Sequence, residues 1–378
     1  MLDNNHERRI AFSVTNCICF DQRVQRIAET VRHLNCDITI IGRRLGECCD
    51  SNSVPFKTKR FRMIFKRGFL FYKFFNIRLF FFLLFHRYDL LVADDLDTLL
   101  PNFLVSGIKG IPLVYDSHEY FTGVPEIQKR YLVKLVWTSI EKMIFPRLKN
   151  VMTVCDSIAE KYESQYGIRP LTVRNISRSA ENIPGYSRDE LGIAKEHLLL
   201  ILQGGGINTD RGGEELIETL NVTDNVSLLI VGSGDVLETL KKRTEELNLS
   251  GRVRFIPKVP WYEMLKYTKS ADAGVSLDKD TNPNYKFSLP NKLFDYISAG
   301  IPVIASDLIE IRRIVVENNC GIIIPSVTID EISNAVKKLR DDRDLLNQLK
   351  QNAVNASKYL NWEKESEKVI DFYSAVLR

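Results

Sequence analysis

The sequence predicts an α/β protein of two Rossmann-like, doubly wound halves that face each other. Three observations predict it. The chain has 378 residues, more than one ordinary core holds, so two domains are expected. Short apolar runs alternate with helical patterns from Arg9 to Tyr166, as parallel strands joined by crossover helices do. A polar stretch, 176–196 with Pro184 and Gly185, then reads as a linker, and the alternation restarts at Leu198.

In the first half, Arg9 to Val14 reads as a strand, followed by the polar loop Asp21-Gln22-Arg23 and a helix from Val24 to about Leu34. Asp37 to Gly42 and Leu90 to Ala93 are further strands, the second running into the acidic loop Asp94-Asp95-Leu96-Asp97. Ile111 to Tyr115 is a strand ending in Asp116-Ser117-His118-Glu119. Asn150 to Val154 leads into a helix over Ser157–Tyr166. In the second half, strands are expected at Leu198–Gln203, Val226–Val231, Val253–Ile256 and Ala273–Leu277, with helices over Glu214–Leu220 and about Val236–Leu247. A helix from Lys292 stops at Gly300, which suits a left-handed C-terminal cap, and Pro302 opens the strand to Ile304. Cys320 to Pro325 and helices to the end complete the pattern. Ligands in such sheets bind at the carboxyl ends of the strands.

The seven cysteines show no zinc-ligand spacing; Cys17 and Cys19 are one residue apart and Cys48-Cys49 adjacent. The number is odd, and charged residues follow Met1 where a secretory leader would be apolar. A reduced, cytoplasmic setting is expected. The net charge of +4 hides an asymmetry: residues 1–175 carry +8 and the remainder −4. The basic half suggests an anionic partner.

That charge concentrates in 57–87, which holds nine Lys/Arg, no acid and eleven aromatics. Arg78 interrupts the apolar run, which is too short between charges to span a bilayer. Three readings stay open. The stretch lies on an anionic membrane surface, packs against a sheet with its cations in solvent, or stacks on nucleic acid. No nucleic-acid-binding motif accompanies the third, so no nucleic-acid partner is expected.

Gly204-Gly205-Gly206 follows a strand and precedes a helix, where backbone amides can approach a phosphate, and Arg211 lies just before that helix. The spacing is not that of a dinucleotide fingerprint. Gly232-Ser233-Gly234 reads as a strand-ending turn. Lys292 and Asp295 share the first helical turn, a pairing that suits a phosphate and a diol as well as an ordinary helix of an α/β sheet. His118 can orient a substrate hydroxyl, act as acid or base, or be structural. Asp95-Leu96-Asp97 has the form of a metal-binding pair, but no further ligand set accompanies it, so caps and turns are expected and no metal.

Taken together, these segments resemble the GT-B glycosyltransferases of family 4. The likeness runs through Leu202-Gln203-Gly204-Gly205, Asp210-Arg211-Gly212, Ile230 to Asp235, Arg252 to Phe255, Ala271 to Val275 and Leu289-Pro290-Asn291-Lys292 to Ile304. In the first half it runs through Asp21 to Val24, Asp94 to Asp97, Tyr115 to Glu119 and Arg174-Asn175. The segment from Asn361-Trp362 resembles the helix that crosses back to the first domain. The resemblance implies an acceptor domain over 1–175, a nucleotide-sugar domain over 197–360 and a returning helix over 361–378, the two domains facing across a cleft. It implies a retaining, metal-independent transferase with no cofactor, using a UDP-, GDP- or ADP-sugar.

Donor contacts would come from Gly204, Gly205, Gly206, Lys286, Asn291 and Asp295, the last holding the ribose. Arg211 and Lys292 would stabilise the leaving diphosphate and His118 would position the transferred sugar. Asp21, Arg23, Asp95 and Glu119 would lie on the acceptor side. The acceptor is expected to be a saccharide, lipid-linked, at the inner face of the plasma membrane, in cell-surface polysaccharide synthesis. The chain departs from the family where Phe287 stands in place of an acid eight residues before Asp295, and where Gly206 stands in place of a cation. A different GT-B enzyme, such as a sugar-nucleotide epimerase, and a non-catalytic sugar- or lipid-binding protein are the alternative readings.

Overall fold

The structure is a computed structural model that describes residues 7–19, 21–44, 54–180 and 183–378. It divides into two compact units, Met1–Asn175 with Glu365–Arg378, and Ile176–Lys364. The first unit holds β1 (Arg8–Ser13), α1 (Gln22–Arg32), β2 (Cys36–Arg43), β3 (Lys57–Phe61), α2 (Gly68–Phe85), β4 (Leu90–Asp94), α3 (Leu96–Lys109) and β5 (Leu113–Ser117). It continues with α4 (Pro125–Gln128), α5 (Tyr131–Ile144), β6 (Asn150–Thr153), α6 (Asp156–Tyr166) and β7 (Leu171–Thr172).

The seven strands run parallel in the order β3-β2-β1-β4-β5-β6-β7. Ile10 of β1 pairs with Ile38 on one side and Leu90 on the other. Strand order reverses between β1 and β4, which places the carboxyl ends of β1, β4 and β5 around the crevice where such sheets bind ligands. Right-handed crossovers put α2, α3, α5 and α6, which step toward β7, on one face, and α1, which steps the other way, on the opposite face.

The stretch 57–87 is therefore two elements. Lys57–Phe61 is an edge strand whose cations discourage further pairing. Gly68–Phe85 is a helix apolar on all sides, with Phe71, Phe75, Leu79 and Leu83 buried at four-residue spacing. By length and composition it is long enough to cross a membrane, whereas the run between charges suggested otherwise. Its buried stripe packs on α3 and the sheet, so it is part of the first unit's core. Each such side chain contributes about 1.5–3 kcal/mol on burial. The acidic loop expected at 94–97 is a helix start. Asp95 is the N-cap of α3, and Pro101 is accommodated within it.

The second unit holds α7 (Arg188–Leu191), β8 (Leu198–Gly204), α8 (Gly213–Asn221), β9 (Val226–Gly232), α9 (Leu237–Glu246), β10 (Val253–Pro257), α10 (Trp261–Ser270) and β11 (Ala273–Ser276). Then come α11 (Pro283–Lys286), α12 (Asn291–Ala299), β12 (Val303–Ser306), α13 (Ile309–Glu317), β13 (Gly321–Ile324), α14 (Ile329–Asp341) and α15 (Arg343–Ser357). The sheet order is β10-β9-β8-β11-β12-β13, again parallel, with the reversal between β8 and β11. Its core is built from Leu198, Leu200, Leu202, Val226, Leu228 and Ile230 against Leu216, Leu240 and Val336.

The last helix, α16 (Trp362–Val376), starts in the second unit, and from Glu365 it belongs to the first, where Tyr373 stacks on Phe12. The expected linker 176–196 belongs to the second unit. Ile176, Ser177 and Ala180 are buried there, and 181–182 lie outside the described residues. Cys17 and Cys19 are each half of a disulfide, while Cys36, Cys155 and Cys320 are buried thiols. Cys48-Cys49 lie outside the described residues.

Candidate functional site

Each unit gathers charged side chains at the carboxyl ends of its strands. In the second unit the centre is Asp278, just past β11, almost fully buried. Arg211 Nη1 lies 3.0 Å from one carboxylate oxygen and Lys292 Nζ 3.2 Å from the other. Ser276 Oγ donates to it at 3.3 Å. Burial pushes the Asp278 carboxyl up, but Lys292 and Arg211 outweigh it and hold it below the usual carboxylate range. Lys292, 9% exposed, has its ammonium pushed down by burial, which Asp278 offsets only in part. Two cations thus share one buried carboxylate. The Arg211 guanidinium also lies over the Tyr285 ring, 4.7 Å from its centre.

Arg211 sits in the loop that joins β8 to α8 and includes Gly204–Gly206. Ser233 N donates to Gly204 O at 3.0 Å, which ties this loop to the end of β9. The approach is so close that a Cβ on Gly232 would lie 1.9 Å from that oxygen. At Gly205, by contrast, a Cβ would meet nothing within 4 Å, so the expected phosphate loop presents open backbone. The start of α12 is not capped by a side chain and has no acid in its first turn, so its positive dipole end is not neutralised there. Asn291 is its first residue and is exposed. Lys286 is half-exposed, 3.4 Å from Asp280.

Asp295, the expected ribose ligand, lies within a buried hydrogen-bond network. It is 4% exposed, and its carboxylate accepts from Ser177 Oγ at 2.7 Å, Trp261 Nε1 at 3.1 Å and Gln203 Nε2 at 3.2 Å. These three donors tie 176–180, β8 and α10 to α12 through Asp295. Phe287, where the family pattern has an acid, is the C-cap residue of α11.

In the first unit the centre is His118, immediately after β5. Its Nε2 lies 3.3 Å from Asp116 and 3.5 Å from Asp94, and its Nδ1 lies 3.6 Å from Asp95. Its backbone N–H donates to Asp95 Oδ1 at 2.8 Å. Asp95 has φ 61°, a left-handed conformation that costs a non-glycine residue energy and that surrounding structure must enforce. Arg23, buried in α1, donates to both Asp116 oxygens at 2.9 and 2.7 Å and to Val173 O at 2.7 Å. Asp21 caps α1, accepting from Val24 N at 3.2 Å. The Glu119 backbone carbonyl accepts from Ser117 Oγ at 2.9 Å.

Burial opposes the His118 imidazolium, but Asp95 and Asp116 outweigh it and hold the ring protonated well above the usual imidazole value. The surrounding carboxylates thus favour the imidazolium over the neutral ring. Asp94, Asp116 and His118 bring ligand atoms within 4.8 Å of one another, as a metal site does. Of these three, Asp116 already has both oxygens engaged by Arg23.

Burial pushes Asp94 and Asp95 up to about 8 and Asp97 up to about 7, with His118 or Thr15 offsetting part of it. The folded cluster thus holds protons that the unfolded chain releases. His118 acts with the same sign: its stabilisation is complete below its unfolded value and lost as pH rises through the folded one. Unfolding free energy should fall as pH rises from about 4 to about 8, and Asp94→Asn should flatten that slope. Urea titrations of both proteins across the range check this; parallel slopes would refute it.

Of the expected residues, the structure brings together Arg211 with Lys292, and His118 with Arg23 and Asp95. Sequence reading missed Asp278 and Gln203. Asp278 stands in Leu277-Asp278-Lys279-Asp280, which looks like any acidic strand-end turn; its burial was the missing signal.

Solved structures share this fold over nearly the whole chain. Sucrose-phosphate synthase from Thermosynechococcus elongatus superimposes with a TM-score of 0.80 at 16% identity, covering 98% of this chain and 99% of that one. Anabaena Alr3699/HepE, solved in complex with UDP-glucose, gives 0.76 at 16%, covering 98% and 100%. The architecture they define is the GT-B glycosyltransferase fold. The profile described as "Glycosyltransferase Family 4" matches residues 21–178, and that of "Glycosyl transferases group 1" matches 189–356. Between them they take in most of the chain, which belongs to glycosyltransferase family 4.

Among curated proteins, a GDP-mannose-dependent alpha-(1-6)-phosphatidylinositol monomannoside mannosyltransferase of Mycobacterium tuberculosis is 28% identical over 129 residues, 32% of each chain. A D-inositol 3-phosphate glycosyltransferase of Nocardia farcinica is 28% identical over 155 residues, 40% of this chain and 33% of that one. The aligned part spans about a third of the length of these relatives.

Proposed function

We propose that the protein transfers a sugar from a nucleotide-diphospho-sugar to a hydroxyl of a saccharide acceptor carried on a lipid, with retention of configuration. One observation carries the reading: Arg211 and Lys292 share the buried Asp278 beside the open backbone of Gly205 and the uncapped start of α12. That arrangement suits a diphosphate whose charge grows as the glycosidic bond breaks. The leaving phosphate oxygen takes the acceptor's proton, and attack on the face it leaves retains configuration. Cationic side chains bear the developing charge, so the chemistry requires neither cofactor nor metal. His118, as an imidazolium, donates to a sugar hydroxyl in the first unit.

The relatives' names support a sugar-nucleotide donor and lipid-bearing acceptors. They include the mannosyltransferase above and a chitobiosyldiphosphodolichol beta-mannosyltransferase of Yarrowia lipolytica, 24% identical over 181 residues, 45% of this chain and 37% of that one. On this reading the transfer takes place at a membrane surface, in cell-surface polysaccharide synthesis. Calorimetric titration with UDP-, GDP- and ADP-sugars tests the donor part. One base class should bind, unchanged by EDTA. Binding of none, or binding abolished by EDTA, would overturn this site.

A further inference from the structure

We infer that α2, α3 and α5 of the first unit form a docking face for an anionic lipid bilayer. Fifteen of the 23 exposed large apolar side chains among the described residues fall between Ile64 and Met143, on these helices and the approach to α2. The outermost are Ile64 (92% exposed), Phe85 and Tyr131 (77% each), Leu132 (73%) and Phe69 (65%). The crossover rule puts all three helices on one face of the sheet. Contacts join them: α3 packs against both α2 and α5, and the Tyr72 ring of α2 meets Trp137 of α5 at 5.4 Å. On α2, the exposed stripe through Leu70, Phe74, Ile77 and Phe81 lies opposite the buried one. Burial in the core already uses one side of the helix, so the outward apolar side needs a second explanation.

Charge selects the occupant. Residues 57–87 hold nine cations and no acid. Residues 127–149 hold six cations and one acid, Glu141, which is buried and accepts from Tyr166 at 2.6 Å. A second copy of this face would bring like charges together. A bilayer with anionic headgroups satisfies both properties at once, cations at the headgroups and apolar side chains just beneath. The helix lies on the bilayer rather than crossing it, because Phe71, Phe75, Leu79 and Leu83 remain committed to the first unit's core.

Co-sedimentation tests the face without any donor or acceptor, so its outcome is separate from that of the transfer reading. The wild-type protein should pellet with phosphatidylcholine vesicles containing about one-third phosphatidylglycerol, less so at high salt, and not with phosphatidylcholine alone. The variant Phe69→Ser/Phe85→Ser/Leu132→Ser should lose binding by about tenfold or more. Arg67→Glu/Lys134→Glu, which leaves the apolar residues in place, should lose it comparably, and Val316→Ser in the second unit should not. Circular-dichroism melts check that each variant is folded. Absence of wild-type binding, or either face variant pelleting like wild type, overturns the proposal. So does a wild-type dimer that the triple variant dissociates while vesicle binding stays unchanged.

Discussion

Replacing Arg211 by alanine should lower the rate of sugar transfer by about 10²–10³-fold, roughly 3–4 kcal/mol in the barrier, with the fold intact. The reason lies in the charge count at Asp278. With both partners present, two cations meet at one buried carboxylate beside the open backbone of Gly205. Without Arg211, the guanidinium that would meet the diphosphate is gone and only Lys292 faces Asp278. The fold should survive because Arg211 is partly exposed and Asp278 keeps Lys292 and Ser276. Lys292→Met removes the other cation, but from a buried position, and should cost stability as well. Single-turnover rates and thermal melts of the two variants separate these effects. An Arg211→Ala protein with wild-type transfer would sink the assignment.

Replacing Arg23 by methionine should have the largest effect on stability, about 3–5 kcal/mol. Arg23 is 2% exposed and Asp116 fully buried, and the guanidinium donates to both carboxylate oxygens and to Val173 O. Burial works against the Asp116 charge; Arg23 and His118 outweigh it and hold the carboxyl below its ordinary range. Removing the arginine leaves that charge with His118 alone, at 3.3 Å. Arg23→Met/Asp116→Leu removes both charges and should recover most of the loss, since replacing a whole buried pair is far cheaper than breaking one. Urea unfolding of the single and double variants measures this; a double variant no more stable than Arg23→Met would contradict it. The pair also aims Asp116 at His118, so it orients the ring as well as holding α1 to β5.

Local signals were the legible part of this chain. The α12 stop at Gly300 was readable because a left-handed cap and a following proline are written in adjacent residues, and Gly300 has φ 74°. The two sheets were readable from alternation, and the pairing of Arg211 with Lys292 from their motifs. What stayed hidden depended on distant partners. The donors to Asp295 come from 118, 92 and 34 residues away, so no local pattern could show that its carboxylate was committed. Asp278 was overlooked for the same reason. β3 was missed because Lys57, Lys59 and Arg60 give an edge strand a charged, solvent-like composition. The acidic segment 94–97 read as a loop, since Asp residues favour caps and turns; it begins α3 at a cap. The apolar outward side of α5 went unread because its exposure emerges only once Trp137, Glu141 and Ile144 are seen to be its buried side.

The transfer claim is tested most directly by product analysis. The protein is incubated with the nucleotide sugar it binds and a lipid-linked saccharide, and the new linkage is read by proton NMR. The account predicts a transferred sugar with the anomeric configuration of the donor and stoichiometric nucleoside diphosphate. Inverted product, interconversion of the free donor without transfer, or binding with no turnover would contradict it.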